Sequence, residues 1–516
     1  MIFDISSMLN PEVYDHPVEH LELIETHISW IVLTGSFAYK IKKPVNFGFL
    51  DFSTLENRHT FCEQELRLNS RLAPAIYLDV VSISNLKDKL VISDEGVVIE
   101  YAVKMNEFPQ SAQLDHMLAA GRLSVELIDP IARMIADFHR TIKIADDSMD
   151  YGNLDAINQP VEENFTQINE HLGAASYQEK LGKLQQWTQS EFQNRKKVFI
   201  KRKQDGFIRE CHGDMHLRNL IWLNNKPMAF DCIEFNPSLR WIDVISDVAF
   251  LIMDLQDRKQ NLLANHFLNT YLELTGDYAG LTILPYYLCY RALVRAKVDA
   301  LYLENKNIQQ EEREAAHAEF TSYLELASTY IHRSQPTLII MRGVSASGKS
   351  TISEALLAKS GAIRIRSDVE RKRLFNISST GSGSADIETG IYTKEASQTT
   401  YEKLLELSGK IIDAGFSVII DAAFLNKEQR DPFQELASSL STAYVIIEIT
   451  APAEVLRQRI VARKKDISDA DLSVLEHQLK NWQPLHKDEL DFVVSVDTTQ
   501  SLDIEELIKT IESHTK

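Results

Sequence analysis

Leu338-Ile339-Ile340-Met341-Arg342-Gly343-Val344-Ser345-Ala346-Ser347-Gly348-Lys349-Ser350-Thr351 is the stretch that decides how the last third of this chain folds. Leu338–Met341 is an apolar run of strand length, Gly343 to Ser350 has the spacing G-x-x-x-x-G-K-S, and TISEALLAK behind it has helical texture. Glycines at both ends let the backbone wrap phosphate oxygens closely. Successive N–H groups, those of Ser345, Ser347, Gly348 and Thr351 among them, add positive potential at a helix N-terminus. Lys349 is then placed for the β/γ phosphates and the Ser350 hydroxyl for magnesium.

Outward from this cradle, AIRIRSD (362–368) is a second apolar strand run, and Asp368 falls at its C-terminal edge, where ligands of open α/β sheets bind. A carboxylate there takes the proton of an attacking hydroxyl, with N-capping of VERKRLF as the plainer alternative. Arg366, Arg371 or Arg373 would hold an anionic substrate. Asp421 closes SVIID (417–421) and is placed to sit near magnesium through water. In LRQRIVARKK, Arg459 and Arg463 share a helical face, as a clamp on ATP phosphates or as a solvated basic face. Strand runs alternating with helices predict a parallel α/β sheet. SSTGSGSAD at 378–386 reads as a mobile loop. Ser334 and Pro336 interrupt the preceding helical pattern, so the boundary is set between 1–333 and 334–516.

Before that boundary the texture is α+β. LTGSFAYKI (33–41) alternates as strand around Gly35-Ser36, and Ser53–Leu72 is helical with Thr54 or Ser53 as cap. Strand-like pieces follow at Tyr77–Ile83 and Val97–Met105. Amphipathic helices run from Leu114 to about Arg202, VFIKRK and FIRECHGD read as short strand and loop, and 240–333 is again helical. His212-Gly213-Asp214-Met215-His216-Leu217-Arg218-Asn219 is followed, after NLIWL, by Asp231. Asp214 supplies a carboxylate to orient an attacking hydroxyl, and Asn219 and Asp231 supply hard oxygens for magnesium. His212 is expected to stabilise the loop. The lysine that holds nucleotide phosphates is expected at Lys40 in preference to Lys42, and its helical partner at Glu65 in preference to Glu63. Arg291 and Arg295, four apart on an apolar helix, need anionic partners, either internal carboxylates or a phosphate- or carboxylate-bearing substrate.

GVSASGKST, RSD-x-x-R, VIIDAAF and RQRIVARKKDISDAD resemble small P-loop kinases of the gluconate kinase, polynucleotide kinase and zeta-toxin type, over roughly 335–516. The resemblance implies that Asp368 is the acceptor-hydroxyl base and that Arg459 or Arg463 neutralises the transferring phosphate. Residues 1–333 resemble the aminoglycoside phosphotransferase and choline kinase family of protein-kinase-like folds, which implies a small lobe over about 1–105 and a large lobe over about 106–333. It also implies Asp214 as base, Asn219 and Asp231 on magnesium, and Trp241-x-Asp243-x-x-x-Asp247 as a brace for the catalytic loop. Two features depart from that family: the glycine-rich loop is reduced to Thr34-Gly35-Ser36, and Asp231 is followed by Cys-Ile-Glu. The tandem resembles a bacterial class of fused proteins with these two domains.

Composition bounds the partners. The chain has 516 residues, 55 Lys plus Arg against 74 Asp plus Glu, and a formal charge of −19, which disfavours long nucleic acid and anionic membrane. Its four cysteines form no paired motif, the N-terminus has no basic leader or apolar core, and no run reaches membrane-span length, so reduced thiols and a cytoplasmic location are expected. The sequence-level expectation is a bifunctional phosphotransferase using ATP (or GTP) and Mg2+, acting on a hydroxyl of a small molecule or a nucleic-acid end. A homo-oligomer is compatible with it. The alternative is a toxin-like P-loop kinase restrained by a nucleotide-binding pseudokinase.

Overall fold

Alternation along Phe37–Lys42 sends Ala38 into one apolar cluster and Tyr39 and Ile41 into another, so this strand has two covered faces. In the computed structural model, which describes residues 3–46, 50–172, 175–305, 308–332, 335–377, 393–462 and 472–514, it lies inside a six-stranded antiparallel sheet. The order is Glu22–Glu25, Ser29–Leu33, Phe37–Lys42, Val97–Asn106, Tyr77–Leu86, Lys89–Ile92. Helix Leu55–Asn69 lies against it through Cys62 and Leu66, and begins where the Thr54 hydroxyl accepts the Asn57 N–H. Two short antiparallel pairs follow. Leu220–Leu223 and Lys226–Ala229 turn through Asn224 and Asn225, both left-handed, as a tight hairpin requires. Ile208–Glu210 pairs with Trp241–Asp243. The VFIKRK segment differs from its sequence reading: it is the end of the long helix Ala175–Gln204, whose continuing turns outweigh a local strand preference.

The second sheet is fully parallel, in the order Ile363–Arg366, Val418–Asp421, Thr337–Arg342, Ala443–Thr450, Val493–Asp497. Ile339, Met341, Ile419, Val445, Ile447 and Val494 form one apolar face with Ile352 and Leu356 of helix Lys349–Ser360 and Leu507 and Ile511 of helix Ile504–His514. Burial of both faces explains the near-continuous apolar strand runs. The fifth strand, Val493–Asp497, carries exposed Ser495 and Asp497 and so gave no such run. The protein is thus a two-domain α/β architecture with a kinase-like N-terminal region and a C-terminal five-stranded parallel sheet flanked by helices.

Compactness does not follow a single cut at residue 334. One unit comprises residues 1–254 and 290–323, the other 255–289 and 324–516. Helix Asn261–Thr275 packs on helix Lys349–Ser360 and belongs to the second unit. The sequence expectation for 378–386 lies outside the described residues. Among the described residues, no helix is long and apolar enough to cross a membrane.

Candidate active sites

In the first unit, Lys40 and Lys42 project from the strand face that helix Leu55–Asn69 covers. Lys40 Nζ lies 2.7 Å from Glu65 Oε1 and 2.5 Å from Asp231 Oδ1. Lys42 Nζ lies 2.8 Å from Glu65 Oε2 and also pairs with Glu234. Glu65 therefore bridges both lysines, whereas Glu63 pairs with His59 on the surface. Burial opposes charge on Lys40, but Asp231 and Glu65 outweigh it and hold the ammonium above its ordinary pKa. Burial likewise works against the Glu65 carboxylate, yet the two lysines bring it down to about 2. Glu234, also buried, is pushed up. Lys42 is wholly enclosed, while the Asp231 side chain is 45% exposed, so only the Lys40–Asp231 end opens to a ligand.

The catalytic-loop candidates converge. Asn219 Nδ2 donates to Asp214 Oδ2 at 2.8 Å and to its carbonyl at 3.0 Å. His216 Nε2 lies 3.2 Å from the same carboxylate. Burial raises the Asp214 pKa, but His216, His212 and Arg295 overcome it and keep the carboxylate ionised and able to accept a proton. His212 is buried; its Nε2 is 2.9 Å from the Phe230 carbonyl and its Nδ1 accepts the Asp214 N–H at 3.2 Å, partners that assign the proton to Nε2. Burial lowers its pKa, in keeping with a neutral loop-holding ring. Asp247 accepts the N–H groups of His212 and Gly213 at 3.1 and 2.8 Å, and Asp254 accepts that of Leu217 at 2.8 Å. Asp243 instead forms a bidentate pair with Arg202, at 2.7 and 2.8 Å.

Arg291 is placed as a brace. Its Nε and Nη1 donate to the carbonyls of Ser246 and Gly213, both at 3.0 Å, and, against burial, its charge helps to hold the Asp247 carboxyl below its ordinary pKa. Arg295 lies over the Tyr323 ring at 5.7 Å and contributes to the field at Asp214. The donors left for magnesium are hard oxygens: with both Asn219 N–H bonds spent on Asp214, the amide oxygen remains, and Asp231 has an open carboxylate.

In the second unit the loop 343–350 closes on itself. A Cβ on Gly343 would stand 2.6 Å from Ser347 Oγ and 2.8 Å from the Ile449 carbonyl, and Gly348 has φ +102°, so both positions require glycine. Lys349 Nζ donates to the carbonyls of Gly343 and Val344 at 2.8 and 2.9 Å, and Ser350 Oγ donates to Asp421 Oδ2 at 2.9 Å. Thr351 is exposed on the first helical turn. Gln478 Oε1 accepts the Ser345 N–H at 2.6 Å. Arg459 reaches the loop: Nη1 donates to the Ala346 carbonyl at 3.3 Å and to Thr498 Oγ1 at 2.8 Å. Arg463 lies outside the described residues. Asp368 sits in the first turn of helix Ser367–Leu374, with Arg371 Nη1 3.6 Å from its Oδ1. Arg366 turns to Glu273 at 3.4 Å.

Residues 111–284 match the family described as Phosphotransferase enzyme family, and residues 338–485 match an AAA domain. The chain joins a phosphotransferase-family domain to a P-loop kinase domain. Uncharacterized proteins of Mycobacterium tuberculosis and Mycobacterium bovis are 29% identical to the chain over 478 residues, covering 92% of it and 93% of each relative. Among solved structures, a sugar kinase from Janibacter sp. is 25% identical over 35% of this chain and 94% of that one, with a TM-score of 0.28. An amicoumacin kinase in complex with AMP-PNP is 12% identical over 63% and 94%, with a TM-score of 0.40.

Five polar contacts at the two sites had no role in the sequence reading: Glu107 on the Thr34-Gly35 turn, Glu234 on Lys42, Asp254 on the catalytic loop, and Gln478 and Thr498 at the phosphate loop. Glu234 alone had a sequence signal, its place three residues after Asp231. The others come from distant segments at no portable spacing.

Proposed function

We propose that both domains transfer the γ-phosphoryl group of ATP, with Mg2+, to a hydroxyl of a small molecule or nucleic-acid end. The observation that carries this is a Lys40–Glu65–Asp231 cluster open at its Asp231 end, together with an ionised Asp214 braced by Asn219, on a chain that also holds a phosphate loop with Lys349, Ser350 and Asp421. In the first site Lys40 steadies the α/β phosphates and Asp214 accepts the hydroxyl proton as the new O–P bond forms and the bond to the β-phosphate oxygen breaks, releasing ADP. Asn219 Oδ1 and Asp231 would hold magnesium, which would supply positive charge to the phosphates when bound. In the second site the loop amides and Lys349 take the phosphates, Arg459 the transferring group, and Asp368 the acceptor proton, with Arg371 beside it for an anionic acceptor; Ser350 and Asp421 would hold magnesium there. The test is a screen of metabolites, aminoglycosides, nucleosides and RNA ends with radiolabelled γ-phosphate, run on wild type beside Asp214→Asn and Asp368→Asn. Transfer insensitive to both substitutions overturns the reading.

One observation favours a second reading, in which the first domain binds nucleotide only to restrain the second. Glu107 Oε2 accepts the N–H groups of Thr34 and Gly35 at 3.2 and 2.8 Å, so an internal carboxylate takes the turn amides that cover phosphates in kinase-like sites. That reading predicts no transfer that depends on Asp214, and P-loop turnover of the full-length protein that rises when Lys40→Ala abolishes nucleotide binding at the first site.

A further inference from the structure

Helix Asn261–Thr275 lies within the stretch matched by the phosphotransferase family, yet it belongs to the compact unit of the parallel sheet. Strand Ile363–Arg366 is outermost in that sheet, so one row of its backbone groups has no neighbouring strand. Asn269 meets two groups of that row: Nδ2 donates to the Ala362 carbonyl at 3.1 Å, and Oδ1 accepts the Arg364 N–H at 2.7 Å. Asn265 Nδ2 donates to the Ala358 carbonyl at 2.9 Å, at the end of helix Lys349–Ser360.

From this anchored helix two side chains reach inward. His266 Nδ1 lies 2.7 Å from Glu354 Oε1, and Glu273 Oε2 lies 3.6 Å from Arg364 Nη2. Glu354 Oε2 in turn lies 2.7 Å from Arg364 Nη1. Arg364 is 9% exposed, and a guanidinium so enclosed depends on its counter-charges. It has only donors, so Ser353 Oγ, 3.3 Å from Nη1, must accept from it. The Ser353 hydroxyl proton is then directed to Asp421 Oδ2 at 3.3 Å or the Ser350 carbonyl at 3.1 Å. Asp421 Oδ2 is the same oxygen that accepts the Ser350 hydroxyl.

We infer that helix Asn261–Thr275 is a positioning element of the P-loop site: Glu273 and His266, acting through Glu354 and Arg364, set Ser353 and Asp421 and thereby the magnesium pole. The inference rests on Ser350 and Asp421 being that pole. Neither Glu273 nor His266 touches nucleotide; their effect is on how tightly the metal is held, as outer-layer partners of metal ligands act elsewhere.

The test is calorimetric binding of a non-hydrolysable ATP analogue to the full-length protein across a magnesium series, with the share of binding lost in Lys349→Ala defining the P-loop site. In Glu273→Gln the magnesium concentration needed for half-maximal enhancement of that share rises about tenfold, while metal-free binding is unchanged. Glu273→Asp restores part of the loss, and His266→Asn shifts the series in the same direction by a smaller factor. If Glu273→Gln does not fold, His266→Asn carries the test. Magnesium series that superimpose on the parent in the folded variants overturn the inference while leaving the P-loop reading intact. Analogue binding that Lys349→Ala does not reduce removes the reading beneath it instead.

Discussion

The two proposed phosphate sites are built in opposite ways. In the P-loop kinase domain the cradle is one uninterrupted run, Gly343 to Ser350, whose donors are mostly its own backbone amides. In the phosphotransferase-family domain the charges are side chains gathered from afar: Lys40 meets Asp231 across 191 positions, and Glu65 arrives on a separate helix. A local site tolerates change around it and fails when its own residues change. A dispersed site also carries part of the stability of its domain, because its ions are buried and depend on one another.

The hardest blow to the dispersed site is Asp214→Asn, which removes the proposed proton acceptor and is expected to lower first-domain transfer about a thousandfold, with melting temperature little changed. Retained transfer in a kinetic assay would break the comparison on the chemical side. Glu65→Ala tests the claim that stability is stored there. It strands Lys42 against a single carboxylate and is expected to cost about 3 kcal/mol in denaturant unfolding of that domain. Because the Glu65 carboxyl is held at about 2, below the ordinary 4.5, its stabilisation is complete above about pH 4.5 and is lost as pH falls toward 2. Acid unfolding followed by circular dichroism should show that loss in wild type and not in the Glu65→Ala variant.

For the contiguous site, Lys349→Ala is expected to reduce P-loop turnover about a hundredfold without a comparable loss of stability, measured by ADP release beside thermal melting. The smallest effect separates two arginines on one helix. Among the described residues Arg457 pairs with the exposed Glu454 and Glu476, so Arg457→Ala should leave both the melting temperature and turnover unaltered. Arg459→Ala should slow turnover, since Arg459 lies on the loop carbonyls.

Where the sequence was readable, chain-local physics was enough. The G-x-x-x-x-G-K-S run, the apolar strands ahead of Asp421 and behind Ala443, and the Thr54 cap each depend on neighbours within a few positions. The lysine and glutamate pair was readable in part: alternation put Lys40 and Lys42 on one face, but both engage Glu65, and the ligand-facing one is distinguished only by the exposure of Asp231 beside it. VFIKRK was misread because three apolar, β-favouring residues within a thirty-residue helix look local when the helix is not.

What the residues alone determined, then, is the chemistry on offer: two sets of phosphate- and magnesium-seeking groups, and the strand and helix periods that carry them. Only the tertiary structure decided which groups meet. It gave Arg291 to backbone carbonyls and Arg366 to Glu273, set Glu107 on the Thr34-Gly35 amides, and moved residues 255–289 into the unit of the parallel sheet. The physical reason is that a charge or an open strand edge specifies a need, for a counter-ion or a hydrogen bond, and says nothing of which distant segment will meet it. That choice is fixed when burial of the whole chain excludes water and leaves each such group only the partners that folding brings within reach.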